Sequence, residues 1–244
     1  MYCLAAGNAE QMRLADICSK VGVSPSKAHG VLQALMNTGL VRRGVNGKGY
    51  ALGPGLITLS RKVLNDMVPA RLAEPVLNRL TLETGCTSVL GLINGGTVFV
   101  AAKKEPDDNI RVVMRVGHPL PLSYGAHGKA IFAFLDEARR GRLLREEALY
   151  FHGYPGALDR ARLLAELADC RRQGFACDVG ESAPGVNVVA APVLGADGVP
   201  IGFVEIFVLA SAEAARRYGP EVARSARRLS QLMGADSNKA PILG

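Results

Sequence analysis

The segment from Arg13 to Leu52 constrains the chain most, because its turn residues leave few ways to arrange it. Leu14, Ile17, Cys18 and Val21 recur at i, i+3, i+4 and i+7, the spacing of one face of a short helix. Gly22 follows, and glycine takes the left-handed turn that ends a helix without strain. Ser24-Pro25 comes next, a hydroxyl for an N-cap and a proline for the first helical position. Ala28, Val31, Leu32, Leu35 and Met36 fall on one face of a second helix, which stops at Asn37-Thr38-Gly39. Two short helices across a glycine turn predict a helix-turn-helix. The second helix then presents Ser24, Ser26, Lys27, His29, Gly30 and Gln33, small, polar or basic groups suited to base edges in a major groove.

A basic hairpin completes the module. Leu40-Val41-Arg42-Arg43 reads as a strand and Tyr50-Ala51-Leu52 as its return, with Asn46-Gly47 between them as a strong hairpin signal. Arg42, Arg43 and Lys48 at the tip of such a wing would hold phosphates and set register rather than read sequence. The charge agrees. The chain carries a net +7, and residues 1–68 hold eight Lys or Arg against three acids, leaving +5 there and +2 on the rest. A basic surface of this kind points to nucleic acid. Trp is absent and aromatics are 5%, so platforms for stacking single strands are poorly supplied and duplex DNA is the expected partner.

Composition removes other classes. With 48% apolar and 21% charged residues the chain is globular rather than disordered, collagenous or coiled-coil. No run of about 18 apolar residues exists, so no spanning helix and no membrane partner are expected. Met1–Glu10 lacks a secretory pattern, which places the chain in the cytoplasm. Five scattered cysteines without a Cys-x-x-Cys make no disulfide framework.

After an amphipathic connector (Leu56, Leu59, Ser60, Val63, Leu64), the chain alternates hairpins and helices. Helices are expected at 69–85, 126–135, 137–145, 159–173, 211–217 and 219–233. Strands are expected at 86–93, 97–103, 109–116, 175–179, 186–194 and 200–209. Hairpin-linked strands beside helices predict an antiparallel-sheet α+β domain. The resulting division is a winged helix-turn-helix at 1–53, a linker helix at 54–68 and a second domain at 69–244.

No catalytic constellation is present. Gly128-Lys129-Ala130 fails as a phosphate loop, because Ser123 stands at the required first glycine and Ala130 where a hydroxyl must bind magnesium. The four histidines (His29, His118, His127, His152) lack metal spacing with cysteine, so no metal or cofactor is expected. The N–H groups of Ala126, His127 and Gly128 open a helix and are either an anion site or a simply capped terminus.

Together these features resemble the IclR family of bacterial transcriptional regulators over essentially the whole chain. The carrying residues are the helix-turn-helix at 13–39, the wing ending Gly49-Tyr50-Ala51-Leu52-Gly53, Arg115-Val116-Gly117, Leu120-Pro121-Leu122, Gly128-Lys129-Ala130, Gly174-Phe175, Asp178 and Val189-Ala190-Ala191-Pro192-Val193. The resemblance implies a GAF/profilin-like effector domain, a homodimer or homotetramer, and a small metabolite, commonly an acid, that switches operator binding. It places the effector pocket at Leu120, Ala126, His127, Asp178, Val186, Val188, Glu205 and Phe207. Family members usually have a longer helix before the helix-turn-helix, so a first helix truncated to Met1–Asn8, or a late start, is implied. Val188, Glu205 and Phe207 depart from the family pattern. Ile201, Phe203, Glu205 and Phe207 share one face of a strand, where a glutamate is costly unless paired or protonated. Glu205 is expected either to take a hydrogen bond or charge from a hydroxyl, amine or cationic ligand group while His127 or the helix start reads an anionic end, or to pair internally with an arginine.

The leading function is a ligand-switched, sequence-specific DNA-binding regulator, not an enzyme. The alternatives are an enzyme or nucleotide-binding module with an accessory winged helix, and a DNA-binding protein that has lost sensing.

Overall fold

The computed structural model describes residues 1–5, 11–44, 47–66, 68–108, 112–146 and 148–235. Two compact units emerge, Met1–Val68 and Pro69–Gly244.

The first unit carries α1 (Tyr2–Ala5), α2 (Leu14–Val21), α3 (Pro25–Asn37), β1 (Val41–Arg43), β2 (Tyr50–Leu52) and α4 (Gly55–Asp66). Its turns are made by the expected residues. Gly22 closes α2 in a left-handed conformation, and the Ser24 hydroxyl accepts a bond from the Lys27 N–H at the start of α3. β1 and β2 pair antiparallel, with Arg42 opposite Ala51. Met12 adds a single bridge to Tyr50, a third piece of the wing that no strand pattern announced. Ile17, Ala28, Leu32, Val41 and Tyr50 form the small core.

One expectation is corrected here, and another falls outside the described residues. Val31 is 54% exposed and Val21 53%, so only the Ala28–Leu32 edge of α3 is buried. Both valines instead line a shallow apolar groove of about 130 Å³ with Cys3, Val23 and Leu35. Asn46 of the wing turn lies outside the described residues; Gly44 N–H donates to the Gly49 carbonyl at 3.0 Å beside it.

The second unit is built on α5 (Val68–Thr84), β3 (Thr87–Asn94), β4 (Thr97–Lys104), β5 (Pro119–Pro121), α6 (Gly125–Phe134), α7 (Glu137–Leu143), α8 (Arg160–Gln173), β6 (Ala176–Val179), β7 (Asn187–Leu194), β8 (Pro200–Val208), α9 (Ala212–Arg217) and α10 (Gly219–Leu232). The six strands form one antiparallel sheet in the order β5-β4-β3-β8-β7-β6. α5 and α10 cover one face. Ser88 Oγ donates to the Leu77 carbonyl of α5, and Ser230 of α10 accepts from Leu194 N–H. α6 and α8 cover the other, over Val98, Ala176, Ala190 and Phe203. Among the described residues, no helix is long and apolar enough to cross a membrane.

The strand expected at 109–116 is not observed. Residues 109–111 lie outside the described set, and Val112–Val116 run as irregular chain, anchored by the Thr87 hydroxyl on the Val112 carbonyl. The edge is instead Pro119–Pro121, opposite Phe99–Thr97. Two prolines in three residues are compatible only with an edge strand, where missing N–H groups cost no ladder bonds.

Candidate DNA-binding surface and effector site

On the first unit, Ser24, Ser26, Lys27, His29 and Gln33 all lie exposed on α3, and Arg42, Arg43 and Lys48 lie exposed on the wing. Every member of the set singled out from sequence is thus open to solvent. Some are held in place: the Arg43 guanidinium sits 4.4 Å over the Tyr50 ring, and Gln33 donates to Asn37 at 3.3 Å. Ser24 is partly spent on its own helix cap, which leaves its hydroxyl proton available.

On the second unit, the expected pocket residues fall on the α6 face. Asp178, Val188, Phe207 and Thr87 stand side by side across β6, β7, β8 and β3. The next row holds Ala190, Glu205 and Val89. Ala126 and His127 lie in the first turn of α6. Leu120 sits on the edge strand β5, and Val186 just before β7. Leu120, Val186, Val188 and Phe207 are half-buried; Ala126, His127, Asp178 and Glu205 are buried.

The charged members are already partnered. His127 Nδ1 lies 3.3 Å from Glu205 Oε2, and Nε2 lies 3.2 Å from the Pro121 carbonyl. A carbonyl only accepts, so Nε2 carries a proton, and the Nδ1–Oε2 bond requires one more. The pair is therefore net neutral, whichever atom holds that second proton. No arginine partners Glu205 among the described residues; the pairing expected with an arginine is made with His127 instead. Both ring nitrogens of His127 are committed, so the ring is not free to read an anionic group. Phe203 stacks on the ring at 4.4 Å and 9°. Phe203 in turn lies against Gly91, where a Cβ would come within 2.1 Å of its ring.

Asp178 is likewise occupied. Its Oδ1 accepts from Glu181 N–H at 2.8 Å and Ser182 N–H at 3.3 Å, and its Oδ2 accepts from the Ser182 hydroxyl. Its carboxylate stands over the start of α6: a Cβ on Gly125, which adopts φ 47°, would meet Oδ2 at 2.7 Å. Gly125 N–H donates to Tyr150 and Gly128 N–H to Tyr124, so the helix opening keeps only Ala126 and His127 N–H without a backbone acceptor among the described residues. The terminus lies beside a protein carboxylate, which favours the capped reading over an open anion site.

Around the buried Lys129 of α6 lies a partly buried ionic cluster that the sequence reading missed. Lys129 Nζ, from α6, lies 3.0 Å from Glu166 Oε2 and 3.0 Å from Glu181 Oε2, and donates to the Cys177 carbonyl at 3.3 Å. Arg162 pairs with both glutamates. His152 Nδ1 accepts from Asp159 N–H, so Nε2 is the donor to Glu166 at 3.0 Å. Burial pushes the Glu166 carboxyl up, but the His152 bond and the Lys129 and Arg162 charges outweigh it and hold it below the usual range. His152, Glu166 and Glu181 are grouped closely enough to hold a metal ion, yet the Lys129 ammonium already sits between the two carboxylates. Nearby, burial pushes the Cys170 thiol up to about 12 and the Cys177 thiol up to about 11, so both are protonated and unreactive near neutral pH. Tyr124, 5.9 Å from the His127 ring and bonded to the Ser182 carbonyl, is a further wall of the site. Its position just before Gly125 is the signal that could have found it.

Comparison with known proteins decides the family. Residues 61–231 match the profile of the bacterial transcriptional regulator IclR C-terminal domain, and residues 1–44 match that of the IclR helix-turn-helix domain. The chain belongs to the IclR family. It is 30% identical over 204 residues to the HTH-type transcriptional regulator XynR of Escherichia coli K12, covering 83% of this chain and 81% of that one. It is 31% identical to the glycerol operon regulatory protein of Streptomyces griseus, over 84% and 80%. The IclR regulator of Alicyclobacillus acidocaldarius superposes with a TM-score of 0.80 at 26% identity, over 95% and 94%. An IclR homolog of Microbacterium hydrocarbonoxydans, crystallised with 4-hydroxybenzoate, shares the fold at 21% identity and a TM-score of 0.68, over 92% of each chain. This IclR-type regulator thus joins a helix-turn-helix DNA-binding domain to a C-terminal effector-binding domain, and the enzyme reading falls away.

Proposed function

We propose that the protein acts in the cytoplasm as a homodimer on a two-half-site operator, and that a small metabolite on the α6 face sets its operator affinity. The observation that carries the DNA part is the exposed set on α3 and the wing, within residues that hold +5 of the net charge. Ser26, Lys27, His29 and Gln33 approach base edges, Ser24 contributes its hydroxyl at the helix start, and Arg42, Arg43 and Lys48 hold phosphates. Dimerisation is supported by α4, where Ile57 is 69% and Leu59 50% exposed, large apolar side chains left without cover by the described residues of one chain. Dimers can pair further into a tetramer. The effector site comprises Leu120, Ala126, His127, Asp178, Val186, Val188, Glu205 and Phe207, to which Tyr124 and Phe203 are added. The 4-hydroxybenzoate held by a structural neighbour sets the size class, a small organic molecule.

Arg42→Ala/Arg43→Ala tests the DNA part by fluorescence anisotropy on a duplex selected from random sequence. Removing two phosphate contacts per protomer, four per dimer, should flatten the slope of log K against log salt by about 3.6. It should weaken all sequences alike. An unchanged slope refutes the wing assignment, and a monomer by sedimentation at the same concentration refutes the dimer.

A further inference from the structure

We propose that the α6-face site takes an uncharged ligand: an apolar body with one neutral donor, a hydroxyl or its equivalent, directed at Glu205, with free carboxylates excluded. This rests on the reading of that face as the effector site. Two carboxylates, Asp178 and Glu205, belong to this face and are 1% and 2% exposed. Among the described residues, the cations nearest the two carboxylates are spent. His127 is fixed between Glu205 and the Pro121 carbonyl by both ring nitrogens. Lys129 is drawn away onto Glu166, Glu181 and the Cys177 carbonyl. Lys103, in the cross-strand row of Val89 and Glu205, is paired with Glu105 at 2.5 Å. The two N–H groups left at the start of α6 lie beside the Asp178 carboxylate. An entering carboxylate would shed its water, meet the Asp178 charge and a His127–Glu205 pair that is net neutral, and find no free cation among the described residues.

A neutral donor meets the opposite situation. Glu205 Oε2 is used by His127, while Oε1 takes no hydrogen bond from a described residue. Nor is Oε1 sealed off, because Gln11 Oε1 is the only sealed side-chain oxygen or nitrogen without a partner among the described residues. The neighbouring half-buried side chains are Val188 and Phe207 on the sheet and Tyr124 at the mouth of α6. An apolar ring or chain is covered by them, and its hydroxyl completes the bonding of Glu205.

The test uses the full chain and matched probes, benzyl alcohol against benzoate and butan-1-ol against butyrate, by calorimetry and thermal shift at pH 7. The alcohol of at least one pair should bind at least about tenfold more tightly than its acid. Glu205→Gln keeps a carbonyl acceptor and should retain alcohol binding, whereas Glu205→Met should lose about tenfold. Acids binding as well as or better than the alcohols overturn the proposal and leave the effector reading standing. Alcohols that produce no shift at about 10 mM, or that bind Glu205→Met unchanged, overturn it as well. Operator binding is measured separately with a metabolite extract. An extract that leaves it unaltered overturns the effector reading itself, whichever probe class binds.

Discussion

Lys129→Met would leave two carboxylates facing each other without the ammonium between them. Lys129 is 1% exposed and makes contacts of 3.0, 3.0 and 3.3 Å to Glu166, Glu181 and the Cys177 carbonyl. Breaking a buried ion pair by removing one partner costs about 3–5 kcal/mol. Arg162 still holds both glutamates, and their side chains keep 25% and 15% of their exposure, so the lower end applies, about 3 kcal/mol. For a unit of this size that lowers Tm by about 6–12 °C. Circular dichroism melts of the full chain read it. The triple variant Lys129→Met/Glu166→Gln/Glu181→Gln removes the orphaned charges as well and should recover part of the loss, since groups in one network are not additive. A loss under about 1 kcal/mol, or a triple variant no more stable than the single, refutes the account of Lys129 as the cluster's required cation.

Gly91→Ala places a Cβ 2.1 Å from the Phe203 ring, backed by strands on both sides, and should cost about 1–3 kcal/mol while moving the ring off His127; an unaltered melt contradicts the packing. The lowered pKa of Glu166 makes its contribution to stability complete above the ordinary glutamate value of about 4.3 and lost as pH falls through the lower native value. Melts should therefore be level across neutral pH and fall in acid below that range. For Glu166→Gln the acid fall should be shallower, and an equal fall rules out this source.

The first unit was readable because its signals are local. Gly22, Ser24, Pro25 and Gly39 act within a turn, and each does in the structure what its chemistry dictates. Val31 misled because a helical period states which residues share a face, not how wide a face its neighbours cover. The strand reading that fails at 112–116 has a similar origin. Its apolar composition suits a strand, but pairing is settled by the edge of β4, which takes Pro119–Pro121. The candidate effector site was half legible. Period two put Phe203, Glu205 and Phe207 on one face and raised the question of the Glu205 partner. Its answer, His127, is 78 residues away in the chain. The Lys129 cluster joins residues from α6, α8 and two loops, so no window of sequence contains it. Long-range charge pairing of this kind leaves no periodic trace.

The central claim is that a ligand on the second unit changes the affinity of the first for DNA, and linkage makes it a single closed cycle. The measurement is the Kd of one selected duplex with and without a saturating neutral ligand, and the Kd of that ligand with and without saturating duplex. Coupling between two sites is reciprocal, so both ratios should equal the same factor, about 5–150. A duplex affinity that the bound ligand leaves unchanged contradicts the account, because a ligand that binds both states equally switches nothing.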